Sequence, residues 1–379
     1  MSILREFKEL RKYLFQTNPD HKKIVFYAEH EGYYSYFEGI INELTEKQNI
    51  HITYITSDKK DPVFDTENDK IHPFYFSALL PFLMVSINCK VFVMTLTDLN
   101  KFHLKRSFNP VKYVYVFHSL VSVHMVYRFG AFDHYDSILC VGSHHIEEFE
   151  KIKELYNPPD KLLVKAGYYR LERVHNNYIQ YKKSEINSSK KKILIAPSWG
   201  KENIIEKCGK KLVNKLLESG YSVIVRPHPE TVRRCPDLIK DIHDSFSSNT
   251  DFLLETSVST DDSLLQSDLL ICDCSGVALE YSLGTERPVL FLDVPYKIQN
   301  DRYKEVKIET LELQLRTEIG KIVSLDCLDT INEEVDSLIS EKDKYKVRIQ
   351  QIREKYVFDF GMSSEIGAKH IMKFAGNIK

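Results

Sequence analysis

An α/β fold of two doubly wound, Rossmann-like domains facing a cleft is what this sequence predicts, and three observations carry it. Strands rich in β-branched and aromatic residues alternate with helical segments from Lys23 onward; the pattern stops at a polar stretch, 175–191; it restarts at Lys192. The 379 residues suit two domains. The expected division is a first domain over 1–174, a linker over 175–191, a second domain over 192–345 and a closing helical segment over 346–379.

The first strand is Lys23-IVFYA, followed by a turn and a helical pattern from Tyr36 to Lys47. His51-ITYITS supplies the second strand, so the wiring is β-α-β. Ser77 to Ser86 reads as a helix leading into Lys90-VFVMTL; Lys112-YVYVFH and Ser137-ILCVGS complete five strands of an open, mostly parallel sheet. After the linker come Lys192-ILIAPSW, a helix from about Ile204 to Leu217, Tyr221-SVIVRPHP, Phe252-LLET, a helix-like turn at Asp261 to Gln266, Asp268-LLICDCSG, a helix through Leu283, and Pro288-VLFLDV. The tail from Ile331 to Phe374 is mainly helical, and its charged run around Lys342 to Lys355 is a solvated helix face.

Composition narrows the function. Lys plus Arg total 52 and Asp plus Glu 54, a net charge of −2, which excludes a generally basic nucleic-acid binder. Seven scattered cysteines form no zinc set, and an odd number points to a reducing, cytoplasmic setting. The Cys272 and Cys274 pair reads as packing. Phe74 to Leu96, the most apolar region, is broken by Pro81, Asn88 and Lys90, so no transmembrane helix is expected. Met1 to Gln16 reads as a short amphipathic helix, with docking against the protein and peripheral contact at the inner membrane face as its two alternatives. No HExxH, Walker loop or GxGxxG motif occurs, and neither a metal nor a cofactor is expected.

Ligands of open parallel sheets bind beyond the carboxyl ends of the strands, and this rule selects the candidate residues. Val223-IVRPHPE delivers Arg226 and His228 to a strand end between two prolines; a guanidinium fork and an imidazole suit a diphosphate, although a capped strand end with a surface histidine has the same look. In the Asp268 to Phe291 segment, Asp273, Ser275 and Gly276 stand where a buried strand turns into a helix, a phosphate cradle or a plain N-cap. Glu280 projects one turn further, within reach of a ribose. Ser198 and Lys201 lie in the loop Pro197 to Lys201. In the first half, His118 ends a strand as a candidate base, and Glu29-HEGYYSYF presents His30, Glu31 and Tyr33 as an acceptor wall or as simple aromatic packing.

The strand ending in His118, Ala196-PSW, Val225-RPHP and Ser267-DLLICDCSGVALEYSLGTERPVLFLD, in this order and spacing, resemble the CDP-glycerol glycerophosphotransferase family, which makes teichoic-acid-like and capsular polymers. Lys165-AGYYRLE and Phe360-GMSSEIGAKHIMKF are similar to further family segments, so the resemblance runs from Tyr113 to the C-terminus. It implies a two-domain glycosyltransferase B arrangement with the acceptor on the first domain and a CDP-linked donor on the second. It also implies that His118 is the base, that Arg226 and His228 engage the donor diphosphate, and that Ser275 is the first serine of the phosphate loop. The transfer implied is metal-independent, to a hydroxyl of a glycan or lipid-linked acceptor. The chain departs from the family pattern in having Ser119 where glycine is usual, Gly276 in place of a second serine, and Gly200-Lys201 in place of an arginine. A sugar transferase using a CMP- or UDP-activated donor, and a non-catalytic nucleotide-binding protein of a polymer-export complex, stay open as alternatives.

Overall fold

The computed structural model describes residues 2–184, 190–257 and 260–376. Seven strands, β1 (Ile24–Ala28), β2 (Ile52–Thr56), β3 (Ile71–Tyr75), β4 (Val91–Met94), β5 (Lys112–Val116), β6 (Ser137–Cys140) and β7 (Leu162–Lys165), form a sheet in the order β3-β2-β1-β4-β5-β6-β7. Six more, β8 (Lys192–Ile195), β9 (Ser222–Val225), β10 (Phe252–Leu254), β11 (Leu269–Cys272), β12 (Val289–Asp293) and β13 (Gly320–Ser324), form a second sheet in the order β10-β9-β8-β11-β12-β13. Neighbouring strands in both sheets are parallel. Strand order reverses between β1 and β4 and again between β8 and β11, which opens a ligand crevice at the carboxyl end of each sheet.

The central strands are continuous apolar runs because helices cover both faces. β1, β2, β4 and β11 are buried along their whole length. The strands that sequence pattern did not reveal are β3, β7 and β13, all at sheet edges. Their half-exposed residues, with Pro73 in β3 and a glycine opening β13, blur the apolar run that marks a central strand. The first sheet thus has seven strands rather than the expected five.

The region expected to be a linker from residue 175 is helical as far as Ser184, the second half of a helix that begins at Tyr169; the remainder of that stretch, 185–189, lies outside the described residues. This helix packs on the helix Gly276–Thr285 of the second lobe, where the Cα of Gly284 approaches Val174 so closely that a Cβ there would lie 2.6 Å from its side chain. The chain then returns. Helix Ser363–Ala375 packs on the outer face of the first sheet, with Gly367 against Ile40 and with Ala368 and Ile371 buried among Ile24, Phe26 and Val93. Among the described residues no helix is long and apolar enough to cross a membrane.

The lobes are fastened by polar contacts beneath the cleft. Ser122 N–H donates to Glu312 at 2.9 Å, and Ser122 Oγ accepts from Leu311 N–H at 2.8 Å. His124 bonds Glu148 through Nδ1 (2.8 Å) and the Ile308 carbonyl through Nε2 (3.1 Å). Burial opposes a charged His124 ring, but the hydrogen bond and charge of Glu148 outweigh it and hold its pKa up. A second bridge is ionic: Arg170 donates to Glu280 at 3.0 Å and pairs with Asp261 at 3.1 Å, and Arg173 joins Asp261 (2.8 Å) to Glu38 (3.0 Å).

Candidate active site

A cleft of about 540 Å³ opens where the carboxyl ends of the two sheets face one another. From the first lobe it is lined by Glu29, His30, Tyr33, Tyr36, His118 and Ser119, and from the second by Ser198, Trp199, Arg226, His228, Ser275, Gly276, Glu280 and Lys297.

His118 follows β5 on a loop held from below. His144 Nε2 bonds the Leu120 carbonyl at 2.9 Å, and His145 Nε2 bonds the Val121 carbonyl at 3.0 Å, so both buried histidines brace this loop. The His118 ring stands edge-on to Tyr33, Tyr36 and Tyr127. With these rings in place of water, burial lowers its pKa to about 4, so the imidazole is neutral at pH 7 and able to accept a proton.

His228 follows β9 and caps the helix Pro229–Arg234, its Nδ1 accepting the Glu230 N–H at 3.1 Å. In the neutral ring the proton then sits on Nε2, which makes that atom a donor. Its pKa is lowered to about 4, first by burial and then by the neighbouring charge of Lys297, with smaller contributions from His118 and His30. The flanking Pro227 and Pro229 fix the backbone at this turn. His30 is built the same way: Nδ1 accepts the Gly32 N–H at 3.1 Å.

Arg226 reaches the cleft wall, but its guanidinium is nearly buried and donates to Ser263 Oγ (2.9 Å) and the Thr260 carbonyl (3.2 Å), with Glu255 at 3.8 Å. It anchors the loop after β9 to the 260–263 segment. Glu280 lines the cleft with both oxygens already engaged, one by Tyr168 (2.7 Å) and one by Arg170. Asp273 is placed differently from expectation: it is 1% exposed, outside the lining, and accepts the Ser198 N–H at 2.8 Å. It joins the loops after β8 and β11, and burial raises its pKa.

Above Asp273, Ser275 is the N-cap residue of helix Gly276–Thr285 and makes no side-chain capping bond. The N–H groups of Gly276 and Val277 have no intrahelical acceptor, an arrangement that suits an anion, while the Ala278 N–H is taken by the Ser275 carbonyl at 3.0 Å. Gly276 is required by close approach: a Cβ there would lie 2.2 Å from Ser119 Oγ. Two positions that depart from the family pattern are therefore in contact with each other where the lobes meet.

The structure also redistributes two expected roles. Lys201 is exposed and outside the lining. The cleft lysine is Lys297, whose Nζ lies 3.3 Å from the Trp199 ring centroid and whose pKa burial lowers to about 8. Glu31 is outside the lining too, and Glu29 takes its place, its pKa raised by burial and by the charge of Glu230. Sequence pattern missed Lys297 because it lies in an irregular segment after β12; Trp199 and Arg170 were in quoted motifs, but nothing local showed that they meet the cleft.

Solved structures share this architecture, two of them as complexes with UDP-GlcNAc. A UDP-GlcNAc 2-epimerase from Neisseria meningitidis bound to UDP-GlcNAc superposes with a TM-score of 0.58 at 12% identity, covering 92% of this chain and 99% of that one. A Methanocaldococcus jannaschii UDP-GlcNAc 2-epimerase in complex with UDP-GlcNAc and UDP gives 0.56 at 14% identity over 93% and 99%. A glycosyltransferase from Rickettsia africae gives 0.51 at 10% identity over 94% and 100%. No curated protein matches the chain in sequence. Two facing Rossmann-like lobes with the site between them define the glycosyltransferase B class of fold. Within it, residues 10–371 match the model of the CDP-glycerol:poly(glycerophosphate) glycerophosphotransferases, and the chain belongs to that family. It is a transferase.

Proposed function

We propose that the chain transfers glycerol phosphate, or a related alditol phosphate, from a CDP-linked donor to a hydroxyl of a cell-surface glycan or lipid-linked acceptor. Residues 1–174 present the acceptor and 192–345 hold the donor. The observation that carries the reading is the pair of neutral imidazoles, His118 and His228, brought to one cleft from opposite lobes beside an open helix N-terminus at Ser275 and Gly276.

In this mechanism the acceptor oxygen attacks the phosphorus that bears the glycerol, its proton passes to His118, and the bond from that phosphorus to the CMP oxygen breaks. His228 Nε2–H, the N–H groups of Gly276 and Val277 and the Lys297 ammonium oppose the charge that develops on the diphosphate. Arg226 and Asp273 hold the donor loops in register. His30, Tyr33 and Glu29 form the acceptor side. Release of CMP from CDP-glycerol by purified protein, absent with UDP- and CMP-sugars, is the test; no turnover of any CDP-alditol overturns the reading. The nucleotide-sugar complexes among the similar folds favour a second reading, a sugar transferase, which the same donor panel would reveal.

Contact with an anionic membrane surface belongs to the proposal. Helix Ser2–Arg11 leaves Leu4 (67%) and Phe7 (54%) exposed beside Lys8 and Arg11, and Phe15 beyond it is 81% exposed, whereas Leu10 packs inward. Co-sedimentation with anionic vesicles, lost in Phe7→Glu/Phe15→Glu, is expected; recovery of the unaltered protein wholly in the supernatant refutes the contact.

A further inference from the structure

Three histidines that the transfer does not use converge at the amino end of the first sheet, away from the cleft. His21 belongs to the short turn Pro19–Lys22 ahead of β1, His51 immediately precedes β2, and His72 lies in β3, where it pairs with Thr53. Each is half-buried, and one ligand nitrogen from each lies within 4.8 Å of the other two. Among the described residues no other trio of histidine, cysteine or carboxylate side chains comes together in this way.

His51 Nδ1 and His72 Nε2 stand 3.0 Å apart. Such a contact is either one shared proton or two lone pairs aimed at one point. Two nitrogens bound to a tetrahedral zinc ion at about 2.0–2.1 Å are themselves separated by about 3.3 Å, so this spacing is already close to a two-imidazole bite. The His21 ring lies flat over both others, 4.0 Å from His51 and 4.2 Å from His72 between centroids. It must tilt to point a nitrogen at the same place. The turn that carries it lies outside the sheet and is tied down by its own carbonyl, which accepts from Thr53 Oγ1 at 2.9 Å, leaving the side chain free to make that tilt.

Two of the rings, His21 and His72, are held toward the neutral form that binds metal. Burial, and the charge each protonated ring would impose on its neighbours, lower His72 to about 4 and hold His21 below its ordinary value. The donor set is three imidazoles without a carboxylate, which selects borderline transition metals over Mg²⁺ or Ca²⁺. Half-exposure leaves a path for the ion and room for water in the fourth position.

We propose that His21, His51 and His72 form a zinc-type divalent cation site that staples the segment ahead of β1 to the outer edge of the first sheet. β3 is an edge strand held by β2 alone, so a tie across β2, β3 and the preceding turn acts where the sheet is least supported.

The test uses the full chain, free of tags and stripped with chelator, titrated with ZnCl₂ by calorimetry and melted with and without the metal. One equivalent of Zn²⁺ should bind and raise Tm. His72→Asn and His51→Asn should each weaken binding by at least about tenfold and remove the zinc-dependent rise, with donor turnover in metal-free buffer unchanged. His21→Ala, on a surface turn, gives the same result without touching a strand. Absence of saturable binding at one equivalent, or equal binding by all three variants, overturns the proposal, the second outcome placing the metal on other histidines.

Discussion

The contact between Ser119 and Gly276 makes the sharpest prediction. Gly276→Ala places a Cβ 2.2 Å from Ser119 Oγ and 3.4 Å from Ser119 Cβ and Val121 Cγ1, against a floor of 3.0 Å for such contacts, so about 0.8 Å of movement is forced. A serine side chain is one bond long and has little to give: turning its hydroxyl away loses the 3.4 Å contact from the Val121 N–H. Otherwise the helix beginning at Gly276 must retreat from the cleft. Overpacking of this kind costs about 1–3 kcal/mol, and if it falls on the donor-bound state it lowers kcat/KM by about 5- to 150-fold. Ser119→Gly in the same chain removes the obstructing atom and should restore most of the loss. CMP release from CDP-glycerol by the two single variants and the double variant closes the cycle, with Tm followed in parallel. A Gly276→Ala enzyme of unaltered activity, or a double variant no better than Gly276→Ala alone, refutes the argument.

Five further outcomes are expected. His118→Ala should lower kcat by about 10²–10⁴ with Tm preserved, as for loss of a general base. His228→Asn keeps an acceptor for the Glu230 N–H and so should hold Tm while losing turnover, whereas His228→Ala should lose turnover and also about 0.5–2 kcal/mol of stability with the cap; equal Tm values for the two would refute the capping role. Lys297 carries its charge below a pKa of about 8 and loses it above, so KM for the donor should rise as pH passes 8 and stay flat in Lys297→Arg. Arg170→Met removes the cation from the buried Glu280, leaving it only the Tyr168 hydroxyl while Asp261 keeps Arg173, and should cost about 3–5 kcal/mol by denaturant titration. The depressed pKa values of His118 and His228 also fix a sign: between about pH 4 and 6.5 the unfolded chain binds more protons than the folded one. The stability these rings contribute is complete above pH 6.5 and is lost as pH falls toward 4.

The central strands were legible because burial on both faces demands uninterrupted apolar runs, as in Leu269–Cys272. The loops that follow them were legible because polar residues such as His118, His228 and Ser275 stand directly after those runs. What escaped was decided by tertiary contact. Nothing local says that Asp273 is covered by the Ser198 loop, that Glu280 is spoken for by Arg170, or that Glu29 rather than Glu31 meets the cleft. Lys297 sits in a segment without periodicity, and the trio His21, His51 and His72 is scattered over 52 residues of chain that only the β1-β2-β3 pairing draws together.

Because helix Ser363–Ala375 covers the first sheet, that lobe's outer apolar face, including Ile40 and Leu139, is finished by a segment that follows the entire second lobe in the chain. A ribosome making this protein therefore carries a first lobe still open on one side until residues 363–375 have emerged, after the whole second lobe has been made. Deletion of residues 363–375 would therefore damage the half of the molecule built first while sparing the half encoded beside the deletion.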